Sequence, residues 1–326
     1  MRLSPQEIMT FKEKSDQLLI KPGKLFINYE NILGHGSSST IYKGHISGPS
    51  PLHLSTQLIE TQTFCDCDVA VKVARNFGSG EVELLYKEIQ ALKTLGYHEN
   101  ISCMLGWAIP GETPCLVFDI AKMDLLQYVR GFRDAAKGMV PYKDFLSFLW
   151  QITRGELVEI YLIYSLGMQY ITSKQMIHRD LAARNILLTN NNVAKISDFG
   201  LCCTYNDGFS YQASLAKKLP IKWLSLEALT DHVFSEKSDV WAFGVLIYEM
   251  FAYGLVPYTT MHHDEVLAFL QEGNRLGCPE DMPNELYEIT RKCWEENPDD
   301  RYTFADLEQK FRVMIENATE SYGYLS

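Results

Sequence analysis

The alternation of apolar and polar residues divides the chain into a strand-rich first third and a helix-rich remainder. After the turn signal Pro22-Gly23, Leu25-Phe26-Ile27-Asn28-Tyr29 has the composition of a strand. Leu33 to Gly44 reads as strand, glycine-bearing turn, strand, because Thr40-Ile41-Tyr42 continues with β-branched and aromatic residues. Residues 45 to about 67, rich in Pro, Ser and other polar residues, read as a long projecting loop before the strand Val69-Ala70-Val71-Lys72. From about Glu81 to Leu95, the residues Leu84, Leu85, Glu88, Leu92 and Leu95 fall near one face of a helix. Cys115 to Ala121 reads as a buried strand running into a connector. Helical patterns follow at Leu125–Val129, Tyr142–Ile152, Ser238–Phe251 and Leu286–Trp294. Ser238–Phe251 reads as an apolar helix with one acid, Asp239, near its start. Two short apolar arms, Met176-Ile177 and Ile186-Leu187-Leu188, flank a polar turn.

Composition narrows the class. The chain has 326 residues, 46% of them hydrophobic and 22% charged, enough to bury one large core or two packed units. A formal charge of −11 argues against a nucleic-acid partner, since phosphate binding needs a net basic face. The eight cysteines lack the spacing of a disulfide framework and fit reduced thiols in the cytoplasm. Cys65-Asp66-Cys67 is a metal-ligand spacing, more often incidental when it stands alone. No stretch approaches the roughly 18 uninterrupted apolar residues of a membrane span, so none is expected.

The chemistry concentrates in the polar turn. Asp180 and Asn185 stand five residues apart between the apolar arms, and Ile196-Ser197-Asp198-Phe199-Gly200 adds a second acid at the end of another apolar stretch. Asp180 is placed to take or steer a proton, and Asn185 and Asp198 offer hard oxygens suited to magnesium. Gly34 and Gly36 let backbone N–H groups approach phosphate oxygens. Strand alternation directs the small Ala70 toward a flat ligand and Lys72 toward phosphates, and a lysine on an apolar strand needs a partner. Glu81, Glu83 and Glu88 all compete for that role.

His178-Arg179-Asp180-Leu181-Ala182-Ala183-Arg184-Asn185 and Asp198-Phe199-Gly200 resemble the catalytic loop and metal-binding motif of protein kinases. The Ala182-Ala183-Arg184 filling is similar to that of tyrosine kinases, of the receptor-type family. The resemblance covers about residues 25 to 315 with the motifs in the family's order. It implies an α+β, two-lobed protein kinase fold: a small β-rich N-lobe with one major helix (about 24–119) and a larger, mostly helical C-lobe (about 122–318). These follow a juxtadomain segment (1–23) and precede a short tail (319–326). It implies ATP and Mg2+ as cofactors, with tyrosine-bearing proteins as substrates and self-association for trans-phosphorylation. It also chooses Glu88 as the partner of Lys72 and makes Asp180 and Arg184 catalytic. Gly34, Gly36, Ile41, Ala70, Lys72, Asp119, Ala121 and Leu187 would line the nucleotide site. Asn185 and Asp198 would hold the metal, and Tyr211 and Tyr205 would be regulatory phosphorylation sites. Asp124 would reach the ribose or cap a helix. Leu219-Pro220-Ile221-Lys222-Trp223 is similar to the wall that receives the acceptor tyrosine, Glu227 would pair with Arg301, and Asp239 would accept backbone hydrogen bonds around His178 and Arg179.

Four departures stand out. Ser39 replaces a third loop glycine, Leu226 and Tyr302 stand where the family usually has proline, and twelve residues, Glu156 to Gly167, interrupt a central helix. Continued as helix, those twelve would add about 18 Å and turn the following face by about 120°. The segment therefore loops out, or the lobe is distorted, or the sequence retains residues absent from the working protein. A catalytically silent scaffold of the same fold is the competing expectation. A nicotinamide-dependent dehydrogenase, suggested by the glycines alone, is disfavoured by the strand that follows them.

Overall fold

The computed structural model describes residues 16–36, 39–75, 79–111, 113–133, 141–153, 167–204 and 219–323. The chain divides into two compact units. One holds the described residues through Tyr97 together with Ser102–Ile120, and the other holds His98–Ile101 and the described residues from Ala121 onward.

The first unit is built on a five-stranded antiparallel sheet of β1 (Leu25–His35), β2 (Ser39–Pro49), β3 (Cys65–Ala74), β4 (Met104–Ala108) and β5 (Cys115–Phe118), in the order β1-β2-β3-β5-β4. In β3 the fully buried Val69 and Val71 alternate with the half-buried Ala70 and Lys72, so the strand gives one face to the core and the other to chemistry. The segment expected as a loop between residues 45 and 67 is ordered secondary structure. β2 continues to Pro49, and a short helix, α1 (Pro51–Thr56), follows with Ser50 as its cap, accepting from His53 N at 3.2 Å. Ser-Pro at a cap and first helical position is a helix start. His53 Nδ1 then lies 2.8 Å from the buried Thr61 Oγ1, and β3 begins at Cys65, which places Cys65 and Cys67 on a strand. A second helix, α2 (Ser79–Leu95), buries Leu85, Ile89, Leu92 and Leu95.

Residues 16–20 are tied to the same unit. Trp107 N donates to Leu18 O at 3.0 Å and Ile20 N to Trp107 O at 2.8 Å, while Asp16 accepts from the Trp107 indole at 3.2 Å and from Lys93. Gly106 permits this approach, because a β-carbon there would stand 2.7 Å from Ile20 Cγ1.

The second unit carries β6 (Met123–Asp124), α3 (Leu125–Arg130), α4 (Tyr142–Thr153), α5 (Gly167–Ser173), β7 (Met176–Ile177), β8 (Ile186–Leu188), β9 (Ala194–Ile196) and β10 (Cys203–Thr204). After them come α6 (Leu226–Thr230), α7 (Glu236–Phe251), α8 (His263–Gln271), α9 (Asn284–Cys293) and α10 (Phe304–Gly323). Nearly every residue of α7 is buried, and Ser235 and Ser238 close its start as a capping box. β6, β8 and β9 form one small sheet and β7 with β10 another.

The interrupted helix has a definite geometry at its two ends. α4 stops at Thr153 and α5 starts at Gly167, whose φ is +60°. A β-carbon at Gly167 would lie 2.3 Å from Ile152 O and 2.9 Å from Gln151 O, so the two helices meet end to end. Residues 154–166 fall outside the described residues.

Candidate active site

In the first unit, β3 and α2 bring Lys72 and Glu88 together. Lys72 Nζ lies 2.7 Å from Glu88 Oε1 and 2.8 Å from Oε2, with side-chain exposures of 13% and 4%. Burying a charge is tolerable when it is paired in this way. Glu88 lies on the buried stripe of α2 and is 3% exposed. Gly34 pairs with Ile41 across β1 and β2, and Gly36 N donates to Ser39 O at 2.9 Å, closing the turn. Ile41 sits opposite Lys72 in the β2–β3 register, and Ala70 opposite Phe118 in β3–β5. Asp119 is half-buried.

In the second unit, β7 delivers the chain into residues 178–185 and β8 takes it out. Asp239, on α7, accepts from His178 N at 2.7 Å and Arg179 N at 2.9 Å. Burial pushes its carboxyl up to about 7, against the lowering effect of those two donors. The cap of α7 is Ser235, so Asp239 is left to hold the loop. The His178 ring accepts from Asp180 N at Nδ1 (3.3 Å), and Nε2 lies 3.1 Å from Ser197 O. That pattern suits a neutral imidazole with its proton on Nε2, and burial lowers its pKa to about 4. Phe199 packs edge-on against the same ring.

Asp180 bonds Arg184, and Asn185 Nδ2 donates to Asp180 O at 2.7 Å. Ser197 N and Oγ both donate to Asn185 O, at 2.8 and 2.9 Å, and this ties the Asp198 turn to the Asp180 loop. Arg179 and Asp198 hold φ of 68° and 62°. Left-handed backbone at non-glycine residues is strained and gathers at functional sites. Burial, with a further push from Asp198, raises the Asp180 carboxyl to about 6 against the pull of Arg184. With Asn185 Nδ2 engaged, the site offers the Asn185 Oδ1 and the Asp198 carboxylate as its hard oxygen groups. An amide oxygen and a carboxylate fit a hard cation such as Mg2+, which keeps water and phosphate oxygens for its other positions.

The stretch after Leu219 forms a single turn, Ile221–Trp223, with Arg184 stacked 4.5 Å over the Trp223 ring. Glu227 and Arg301 form a two-pronged pair at 2.7 and 2.8 Å, and the other Arg301 N–H groups reach the carbonyls of Lys237, Glu295 and Glu296. Leu187 is half-buried on β8, opposite Asp124, and Ala121 is half-buried ahead of β6. Asp124 is a helix cap, accepting from Gln127 N at 2.7 Å. Tyr205 and Tyr211 lie outside the described residues. Sequence reasoning missed Glu249. It is 2% exposed on α7 and accepts from Ala183 N at 2.9 Å and Trp223 Nε1 at 3.0 Å. Its only signal was a second charge inside an apolar helix, Ile247-Tyr248-Glu249-Met250-Phe251.

A sheet unit with a buried lysine–glutamate pair, followed by a helical unit with two joined acidic turns, is the architecture of a protein kinase domain. Residues 27–311 match the family described as Protein tyrosine and serine/threonine kinase, and the chain belongs to that family. It is 37% identical over 96% of its length to a Caenorhabditis elegans protein named "Putative tyrosine-protein kinase F09A5.2". It is 35% identical over 79% of its length to Fibroblast growth factor receptor 1 of Pleurodeles waltl. The chain spans 37% and 32% of the length of these two relatives. Among the described residues no helix is long and apolar enough to cross a membrane.

Proposed function

We propose that this chain is an ATP-dependent protein tyrosine kinase, with residues 24–318 as its catalytic domain. The observation that carries this reading is the placement of Arg184, which bonds Asp180 and stacks on Trp223, joining the proton-steering acid to an aromatic wall. Asp180 orients the acceptor hydroxyl and takes its proton. Lys72, held by Glu88, binds nucleotide phosphate, with Gly34, Gly36, Ile41, Ala70, Asp119, Ala121 and Leu187 lining the rest of the nucleotide site. Asn185 and Asp198 hold magnesium, which neutralises phosphate charge when bound. Rate enhancement then comes mostly from positioning and electrostatics. The partners are tyrosine-bearing proteins, including a second copy that phosphorylates Tyr211 and Tyr205. Eight free thiols support a cytoplasmic setting.

The test is phosphotyrosine formation on a tyrosine-containing polymer with Mg-ATP, comparing wild type with Asp180→Asn. Equal signal from both proteins removes Asp180 from the chemistry. Silence from wild type, relieved by deleting residues 156–167, makes the chain as it stands a scaffold of the same fold.

A further inference from the structure

Asp16 gathers donors from three places. Its Oδ1 accepts from Leu18 N at 2.9 Å, within its own segment, and its Oδ2 accepts from the Trp107 indole on β4 at 3.2 Å and from Lys93 on α2. The side chain is 13% exposed, and hydrogen bonds shielded from water are electrostatically stronger. Trp107 is buried, and its ring meets α2 twice. Tyr86 packs edge-on with ring centres 6.2 Å apart, and the Lys93 ammonium lies 5.1 Å from the ring centre. Tyr86 and Lys93, seven residues apart in sequence, fall within about 20° of each other around the helix, and Glu88 falls about 140–160° from both. Trp107 and Asp16 therefore bear on one side of α2, while Glu88 leaves it on another to reach Lys72. Pro51 of α1 closes on the same corner, since a β-carbon at Gly106 would stand 3.0 Å from Pro51 Cγ as well as 2.7 Å from Ile20 Cγ1.

We propose that Asp16 is a positioning residue for the nucleotide: through Trp107 and Lys93 it braces α2 from behind and so keeps Glu88 on Lys72. The inference rests on the reading of Lys72 as a phosphate ligand. When α2 tilts away, the Lys72 amine gains water and loses its aim at phosphate. Strand pairing alone does not require this, because Leu18 and Ile20 pair with Trp107 through the backbone, whatever side chain stands at position 16.

The full chain is compared with Asp16→Ala, Asp16→Glu, Lys93→Met and Glu88→Gln. The first measurement is the rate at which an amine-reactive acetylating reagent modifies Lys72, read by mass spectrometry with Lys43, 40% exposed on β2, as internal reference. Asp16→Ala and Lys93→Met should each speed modification of Lys72 about fivefold, toward the rate in Glu88→Gln, and leave Lys43 unchanged. Asp16→Glu keeps the charge and should recover most of the protection. The double variant of Asp16→Ala with Lys93→Met should be no faster than the faster single variant, since both act through one ion pair. The second measurement is KM. In Asp16→Ala the ATP KM should rise about fivefold while the KM for a tyrosine peptide stays within about twofold. The two single variants reach the brace from opposite ends, so either carries the test if the other does not fold. Lys72 rates unchanged in the single variants, Lys43 rates rising with those of Lys72, or ATP and peptide KM rising together would overturn the inference. A wild type that transfers no phosphate refutes the kinase reading instead, and the Lys72 rates then decide the brace on their own.

Discussion

Gly167 rests against the carbonyl oxygen of Ile152, with its backbone at φ +60°. Both facts demand glycine, because a β-carbon would stand 2.3 Å from that oxygen and an L-residue is strained at such a φ. Gly167→Ala should cost about 1–3 kcal/mol. Urea unfolding reads this directly, and a loss below about 0.5 kcal/mol would mean that the helix ends do not meet as described.

The end-to-end meeting of α4 and α5 also bears on the residues between them. Deleting residues 156–167 leaves Gly155 directly before Met168 and restores one continuous helix. The shortened protein should keep one cooperative urea transition, with a midpoint no lower than that of the full chain. Loss of a cooperative transition would instead make the segment part of the core.

The buried carboxylates predict a pH dependence with a definite sign. Asp180, raised to about 6, must be ionised to take a proton, so kcat/KM should fall about tenfold per unit as pH drops below that value. For stability, Asp180 and Asp239 bind protons more tightly in the folded than in the unfolded chain. Their contribution is therefore full below the ordinary carboxylate range and is lost as pH rises through about 6 and about 7. Asp239→Asn should flatten unfolding free energy between about pH 4 and 7 relative to wild type. Parallel pH curves for the two proteins would contradict this assignment.

Ser225 offers a stabilising change. Its side chain is fully buried with Oγ unpartnered, its φ is −72°, and the preceding Leu224 has ψ 145°. Proline accepts that φ and favours that preceding conformation. Ser225→Pro should raise stability by about 0.4–1 kcal/mol through the unfolded state, measured as an increased urea midpoint. A fall would show that the serine N–H or the local fit matters more than chain entropy.

Much of the site was legible because its residues break local patterns. Lys72 interrupts an apolar strand, and Asp180 and Asn185 lie between two apolar arms, while the family resemblance chose Glu88 over Glu81 and Glu83. Glu249 was not legible, since the donors it serves lie 66 and 26 residues away and only the folded chain brings them to it. Residues 50–64 read as loop by composition, yet the Ser50-Pro51 start makes a helix and Leu52, Thr61 and Phe64 are buried. The Gly167 contact was hidden for a related reason. A helix resumed after thirteen intervening residues, 154–166, leaves no trace in periodicity.

The pairing of Leu18 and Ile20 with Trp107 decides how the five-stranded sheet ends. β4 is an outer strand, and outer strands present unpaired N–H and C=O groups on which another chain can grow. Leu18 and Ile20 occupy those groups at Trp107. A protein trimmed to start at Lys21 would bare that edge and turn a closed border into a template for aggregation.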